Sequence, residues 1–159
     1  MTMEALEKSV RTSIVVEAPI DRAFHVFTEE MASWWNPEHH ILRAELAGMV
    51  FEPHVGGHIY DRGVDGSECR WARVLAYDPP RRLVFSWDIS LRWELETDPD
   101  RTSEVEVRFE AEGAKRTRVD FEHRNLDRHG GGWEAMRDAV GSSDGWTSGL
   151  LRFAEQFAG

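Results

Sequence analysis

The chain opens, after a short polar stretch, on a β-branched run. Residues 10–17 place Val10, Thr12, Ile14 and Val16 on one face of an extended segment, which predicts a strand. Ala18-Pro19 stops it, with Pro19 suited to the first position of a helix. Ile20, Phe24, Phe27 and Met31 then recur at helical spacing, leaving Asp21, Arg22, Glu29 and Glu30 for water. This helix is expected to end near Trp34-Trp35-Asn36, because Pro37 disfavours helical geometry at the residue before it.

From residue 40 to 124 the period changes to two, and Gly or Pro clusters punctuate it. The segments 40–46, 49–55, 58–63, 70–78, 82–91, 103–112 and 116–123 read as strands, with breaks at Ala47-Gly48, Gly56-Gly57, Asp65-Gly66, Pro79-Pro80, residues 97–100 and Gly113. Breaks this short imply antiparallel neighbours, since a parallel crossover needs about a dozen or more residues. In the last two segments Val105, Val107, Phe109 and Ala111 share one face, as do Thr117, Val119, Phe121 and His123, while charged residues fill the other. A three-residue loop at Gly113-Ala114-Lys115 would set Glu110 opposite Arg118, Arg108 opposite Asp120 and Glu104 opposite Arg124. Sliding by two residues would face Arg108 with Arg118, so the first register is expected, with Phe109 opposite Val119 and Val107 opposite Phe121. Alternation in the 83–91 strand continues through Trp93 and Leu95, marking either an extended hairpin or an exposed flap.

Beyond Gly130-Gly131-Gly132 come a short helix over 133–140, a break at 141–144 able to cap the next helix, and that final helix over 143–158. Its stripe of Trp146, Leu150, Phe153 and Phe157 needs an apolar surface, and the sheet offers one. The pattern therefore predicts an α+β fold in which an antiparallel sheet grips a C-terminal helix.

Composition narrows the function. At 159 residues the chain fits one domain, 1–159, large enough for one sizeable core. Its net charge of −10 disfavours nucleic acid and anionic membrane surfaces as partners. The one cysteine, Cys69, excludes an internal disulfide, the first residues lack the apolar core of a secretion signal, and no apolar run is long enough to span a membrane. A cytoplasmic protein is expected. Seven Trp and eight Phe are a heavy aromatic load, suited to a core or to an apolar ligand pocket.

The stretch from Phe51 to Asp88 resembles the homologues of the heat-shock protein 90 ATPase activator, members of the START-like (SRPBCC) helix-grip superfamily. The resemblance rests on Val55-Gly56-Gly57, Asp65-Gly66, the corner from Val74 through Asp78-Pro79-Pro80-Arg81-Arg82-Leu83, and Phe85 with Trp87. Glu122-His123-Arg124, Gly145-Trp146 and the Ala-Pro-Ile start of the first helix extend it over about residues 9–158. It implies a curved sheet around a long C-terminal helix, with a cavity between them. It does not imply one activity: superfamily members bind lipids, hormones or polyketides, and a few catalyse cyclisation or dehydration.

Trp34, Trp35, Phe51, Tyr60, Trp71, Trp87, Phe121, His123, Trp146 and Phe153 are the candidate ligand-binding residues, and plain core packing is the simpler reading of each aromatic alone. His123 shares the helix-covered face with Phe121, so it reads first as a buried neutral imidazole bonded to backbone or Tyr, second as a hydrogen-bond donor to a ligand, and last as a general acid or base. His54 and His58 flank a turn and His39-His40 lies nearby, but no HExxH and no Cys cluster accompanies them, so they read as exposed turn residues and no metal is expected. The glycine clusters lack phosphate-loop patterns, no GxSxG occurs, Cys69 reads as a small strand residue, and the charged sheet face reads as solvated. No catalytic residue and no cofactor is assigned. The expected function is non-catalytic binding of a small apolar or aromatic molecule. The alternative is a protein-interaction module of the chaperone-activator type, and a cyclase- or dehydratase-like enzyme is third.

Overall fold

The computed structural model describes residues 8–36 and 39–158; residues 1–7, read above for a secretion signal, and Pro37 lie outside them. Seven strands form one antiparallel sheet in the order β1-β7-β6-β5-β4-β3-β2: β1 Val10–Val16, β2 Leu46–Phe51, β3 His58–Gly63, β4 Glu68–Asp78, β5 Arg82–Trp87, β6 Ser103–Gly113 and β7 Arg116–Arg124. Helices α1 (Ile20–Thr28), α2 (Trp133–Val140) and α3 (Trp146–Glu155) complete an α+β helix-grip fold. The chain crosses from one sheet edge to the other between β1 and β2, and α1 makes part of that crossing.

α1 is shorter than its stripe suggests, and Pro19 caps it rather than entering it. Thr28 Oγ1 donates to the Phe24 carbonyl at 2.8 Å, competing with the backbone at the last turn. A 3₁₀ turn at Met31–Ser33 then carries Met31 and Trp34 into the core, where the Trp34 indole donates to the Val26 carbonyl at 3.3 Å. The expected strand over 40–46 is instead a loop that joins a strand only at Leu46. Ile41 and Leu42 pack against the core from outside the sheet, and His40 Nδ1 bonds the Leu42 carbonyl at 2.9 Å. Ala47-Gly48 does not break the chain but forms an irregularity within β2. β2 ends at Phe51 because Pro53 has no N–H for a ladder and residue 57 must come close to Glu52: a Cβ on Gly57 would stand 2.7 Å from the Glu52 Cβ.

The β6–β7 register is the expected one, with Phe109 opposite Val119, Val107 opposite Phe121 and Glu104 opposite Arg124. The turn differs: Gly113 pairs with Arg116, so only Ala114 and Lys115 form it, and the extra residue is absorbed by an irregularity between Ala111 and Gly113. Charge pairing alone did not choose this register, because Glu106 faces Glu122 across one pair and Arg82 faces Arg108 across the next. Reading the outer face as solvated also fails at its centre, where Glu106 is 3% exposed. Arg82, Arg108 and Arg124 converge on its carboxylate. Burial pushes that carboxyl up, but the three guanidiniums outweigh it and hold it down at about 2. The folded chain thus binds this proton less readily than the unfolded chain, for which a value near 4.5 is ordinary. The stabilisation is complete above pH about 4.5 and is lost as pH falls toward about 2. Glu106→Gln should therefore destabilise the protein at pH 7 and much less at pH 3, read from denaturant midpoints; an equal gap at both would show that the carboxylate is not held by its arginines.

Beyond β5 the chain turns back on itself: Ile89 bridges Leu95, Trp93 takes a left-handed φ of 59°, and Trp93 and Leu95 are exposed. This is an extended hairpin. α3 is shorter than the expected 143–158, and no side chain of the 141–144 break caps it. Gly145 is its N-cap, where an added Cβ would lie 2.3 Å from the Val140 carbonyl oxygen. Trp146, Leu150 and Phe153 bury against the sheet and α1, and Phe157 packs at the edge of the same core. No helix among the described residues is long and apolar enough to cross a membrane.

Candidate functional site, a tryptophan-lined cavity

A cavity of about 560 Å³ opens between the sheet, the start of α3 and the loop after α1. Six of the seven tryptophans line it: Trp34, Trp35, Trp71, Trp87, Trp93 and Trp146. Trp34 and Trp35 come from the turn closing α1, Trp71 from β4, Trp87 from the end of β5, Trp93 from the hairpin and Trp146 from the first position of α3. Four of these indoles form a closed ring of contacts. Trp35 meets Trp71 at 5.1 Å between centroids, Trp71 meets Trp87 at 5.7 Å, Trp87 meets Trp146 at 5.4 Å and Trp146 meets Trp35 at 5.4 Å. Three of the four contacts are edge-to-face, the arrangement that aligns a positive ring edge with a negative face.

The other sequence candidates lie elsewhere. Phe121 makes a tilted contact with Trp146 at 4.6 Å, Phe153 packs between Phe27 and Trp34, and Phe51 pairs with Tyr77. Tyr60 sits under the Arg70 guanidinium at 4.4 Å. His123 is fully buried behind Trp146 and is not among the residues lining the cavity.

His123 belongs to a directed hydrogen-bond chain. The Trp146 indole can only donate, and it donates to His123 Nδ1 at 3.0 Å, so the His123 proton resides on Nε2. Nε2 then donates to Ser103 Oγ at 2.7 Å, and Ser103 Oγ also shares a hydrogen bond of 2.7 Å with His129 Nε2. His129 Nδ1 is buried and has no hydrogen-bond partner. The partners of His123 are thus Ser103 and Trp146, not backbone or Tyr, because the indole and the hydroxyl share its buried face. Burial, with His129 nearby, lowers the His123 pKa to about 3, and burial likewise lowers that of His129.

Polar groups also reach the cavity. Asn36, His39, His40, Ser142 and Asp144 stand in its wall, and Asp61 contributes a carboxyl that is 1% exposed. Asp61 Oδ1 has no hydrogen-bond partner, and among the lining residues the buried indole nitrogen of Trp87 has none either. Burial raises the Asp61 pKa to about 6, against the lowering effects of a hydrogen bond with the Trp71 side chain and of His40. The sequence reading missed Asp61, although a signal existed: Ile59 and Asp61 share one face of β3, and Ile59 is core. His54 and His39 are exposed while His58 and His40 are half-buried, and no group of three or more His, Cys, Asp or Glu side chains able to hold a metal occurs among the described residues.

Comparison with solved structures gives three informative likenesses. An anthrahydroquino-γ-pyrone synthase is 42% identical, with 96% of this chain and 97% of that chain covered and a TM-score of 0.67. CalC from Micromonospora echinospora, described as a self-sacrificing resistance protein, is 30% identical over 95% of this chain and 94% of its own, with a TM-score of 0.62. The Aha1 dimer from Colwellia psychrerythraea is 15% identical over 94% and 95%, with a TM-score of 0.59, and shares the fold. Comparison with curated proteins gives no match. The model of the family "Activator of Hsp90 ATPase homolog 1-like protein" matches residues 17–158, nearly the whole described chain, and the chain belongs to that family.

Proposed function

We propose that this chain binds a flat, polycyclic aromatic molecule in the cavity between the sheet and α3. The observation that carries the reading is the cavity itself: about 560 Å³ walled by six indoles, within the range of small-molecule sites. Indole faces and edges favour stacked and edge-on aromatic partners over flexible aliphatic ones. The 42% identity to a synthase named for an anthrahydroquinone-derived product supports a fused-ring occupant. The chaperone-activator alternative needs a contiguous apolar surface. Among the described residues the exposed large apolar side chains Val15, Val55, Val64, Leu75 and Leu151 sit on separate strands, turns and α3, and only Trp93 and Leu95 share one hairpin, so the surface supports it less. Catalysis is the second reading, favoured by Asp61, whose carboxyl changes protonation near pH 6 inside an apolar cavity.

Titration with 9-fluorenone, a three-ring probe, should quench tryptophan fluorescence saturably at one probe per chain. Gly149 lines the cavity from α3, and a Cβ there meets only Trp34, at 3.5 Å. Gly149→Leu should therefore fold, fill part of the cavity and weaken binding about tenfold or more, the equivalent of ~1.4 kcal/mol. Absence of saturable quenching in the unaltered protein, or unchanged affinity in Gly149→Leu, would overturn the reading.

A further inference from the structure

Most polar groups in a protein interior are satisfied, and an orphan calls for an explanation. This cavity wall holds two of opposite kind. Asp61 Oδ1 is a buried acceptor without a donor, and Trp87 Nε1 is a buried donor without an acceptor. Other wall groups have partners: the Trp35 indole donates to the His39 carbonyl at 2.9 Å, and the Trp146 indole donates to His123. Leaving a buried amide, hydroxyl or carboxyl unmatched is costly, so a wall that does so twice beside an open cavity is arranged for groups that arrive with a ligand.

Resting on the reading above, we propose that the cavity selects an aromatic molecule bearing both a hydroxyl and a carbonyl, the hydroxyl donating to Asp61 and the carbonyl accepting from Trp87. Purely hydrocarbon rings would fit the indoles yet leave both wall atoms unmatched. Ionised Asp61 accepts more strongly than the neutral acid, and its carboxyl passes between the two forms near pH 6. The other titratable groups facing this space are His39 and His40 from the loop after α1 and Asp144 from the segment before α3; Cys69 stands opposite Asp61 on β4, its thiol pushed up by burial. The preference for a hydroxyl over a bare ring should therefore grow as pH rises from 5 to 7.

Four probes of one shape separate the contributions: fluorene, 2-hydroxyfluorene, 9-fluorenone and 2-hydroxy-9-fluorenone, each titrated calorimetrically. The hydroxyl should improve affinity roughly tenfold at pH 7, as expected for a hydrogen bond to a charged group, and the carbonyl about threefold. Asp61→Leu should abolish the hydroxyl gain while keeping the carbonyl gain, and Trp87→Phe should do the reverse. Comparing each hydroxylated probe with its parent cancels histidine titration common to both. Should Asp61→Leu fail to fold, the pH dependence of the 2-hydroxyfluorene-to-fluorene ratio in the unaltered protein decides alone. Four equal affinities, or a ratio that does not move between pH 5 and 7, would overturn this inference and leave aromatic binding standing. Failure of all four probes to bind would overturn the aromatic-binding reading itself.

Discussion

Phe153→Ala is expected to lower stability by about 3–5 kcal/mol, the usual range for deleting a buried phenyl ring. Phe153 is fully buried in the last turn of α3, and its ring meets Phe27 of α1 at 5.2 Å, Trp34 at 5.7 Å and Phe157 at 5.2 Å. The contacts to Phe27 and Trp34 join α3 to α1 and the turn after it, so the truncation leaves a void between elements that cannot all relax into it. The expected signature is a lower denaturant midpoint with an unchanged slope, meaning that the folded state is weakened rather than reshaped. Leu151 on the same helix is 57% exposed, so Leu151→Ala should stay within about 0.5 kcal/mol. A loss below about 1 kcal/mol in Phe153→Ala would show that this ring does not hold α3 against α1 and the turn after it.

The same helix shows why much of the fold is legible in the sequence. Trp146, Leu150, Phe153 and Phe157 repeat at helical spacing, and the structure buries the first three and packs Phe157 at the edge of the core. The β6–β7 hairpin alternates so strictly that a one-residue slip of either strand would turn that strand's apolar residues away from the core; a two-residue slip keeps the faces, and the observed register sets Glu106 against Glu122. Elements failed where a local rule met a tertiary contact. Residues 40–46 have strand-like alternation, yet Ile41 and Leu42 find burial against the core from outside the sheet instead. Glu106 reads as a surface carboxylate until arginines from β5, β6 and β7 converge on it, a three-strand contact that no linear pattern displays. The candidate site was legible by residue type and not by partition. Indoles Trp34, Trp35, Trp71, Trp87 and Trp146 do reach the cavity, while Phe121 and Phe153 are one layer behind, since alternation gives the face of a residue and not its depth. Asp61 escapes such a reading because a carboxylate on a strand reads as solvent-facing, although its neighbour two positions earlier is core.

His123→Phe is expected to cost about 2–6 kcal/mol of stability while leaving aromatic-probe affinity nearly unchanged. The imidazole accepts from Trp146 and donates to Ser103, and a phenyl ring can do neither. The Trp146 indole would become a buried donor without an acceptor, worth about 1–3 kcal/mol, and forcing the larger ring into the same space adds roughly 1–3 kcal/mol. Affinity should hold because His123 lies behind Trp146 and not in the cavity wall. The cost should also depend on pH in a defined direction. In the folded chain the imidazole stays neutral down to about pH 3, whereas in the unfolded chain it takes up a proton near pH 6.5. Between those values the unfolded state binds the extra proton, so the His123 contribution is complete above pH 6.5 and shrinks as pH falls toward 3. The stability gap between the unaltered protein and His123→Phe should therefore be wide at pH 7 and narrower at pH 4, read from denaturant midpoints. A gap that does not change with pH would mean that the ring is not held neutral. A tenfold loss of probe affinity at pH 7, with stability intact, would instead place His123 on the ligand and require the chain from Trp146 to His129 to open toward the cavity.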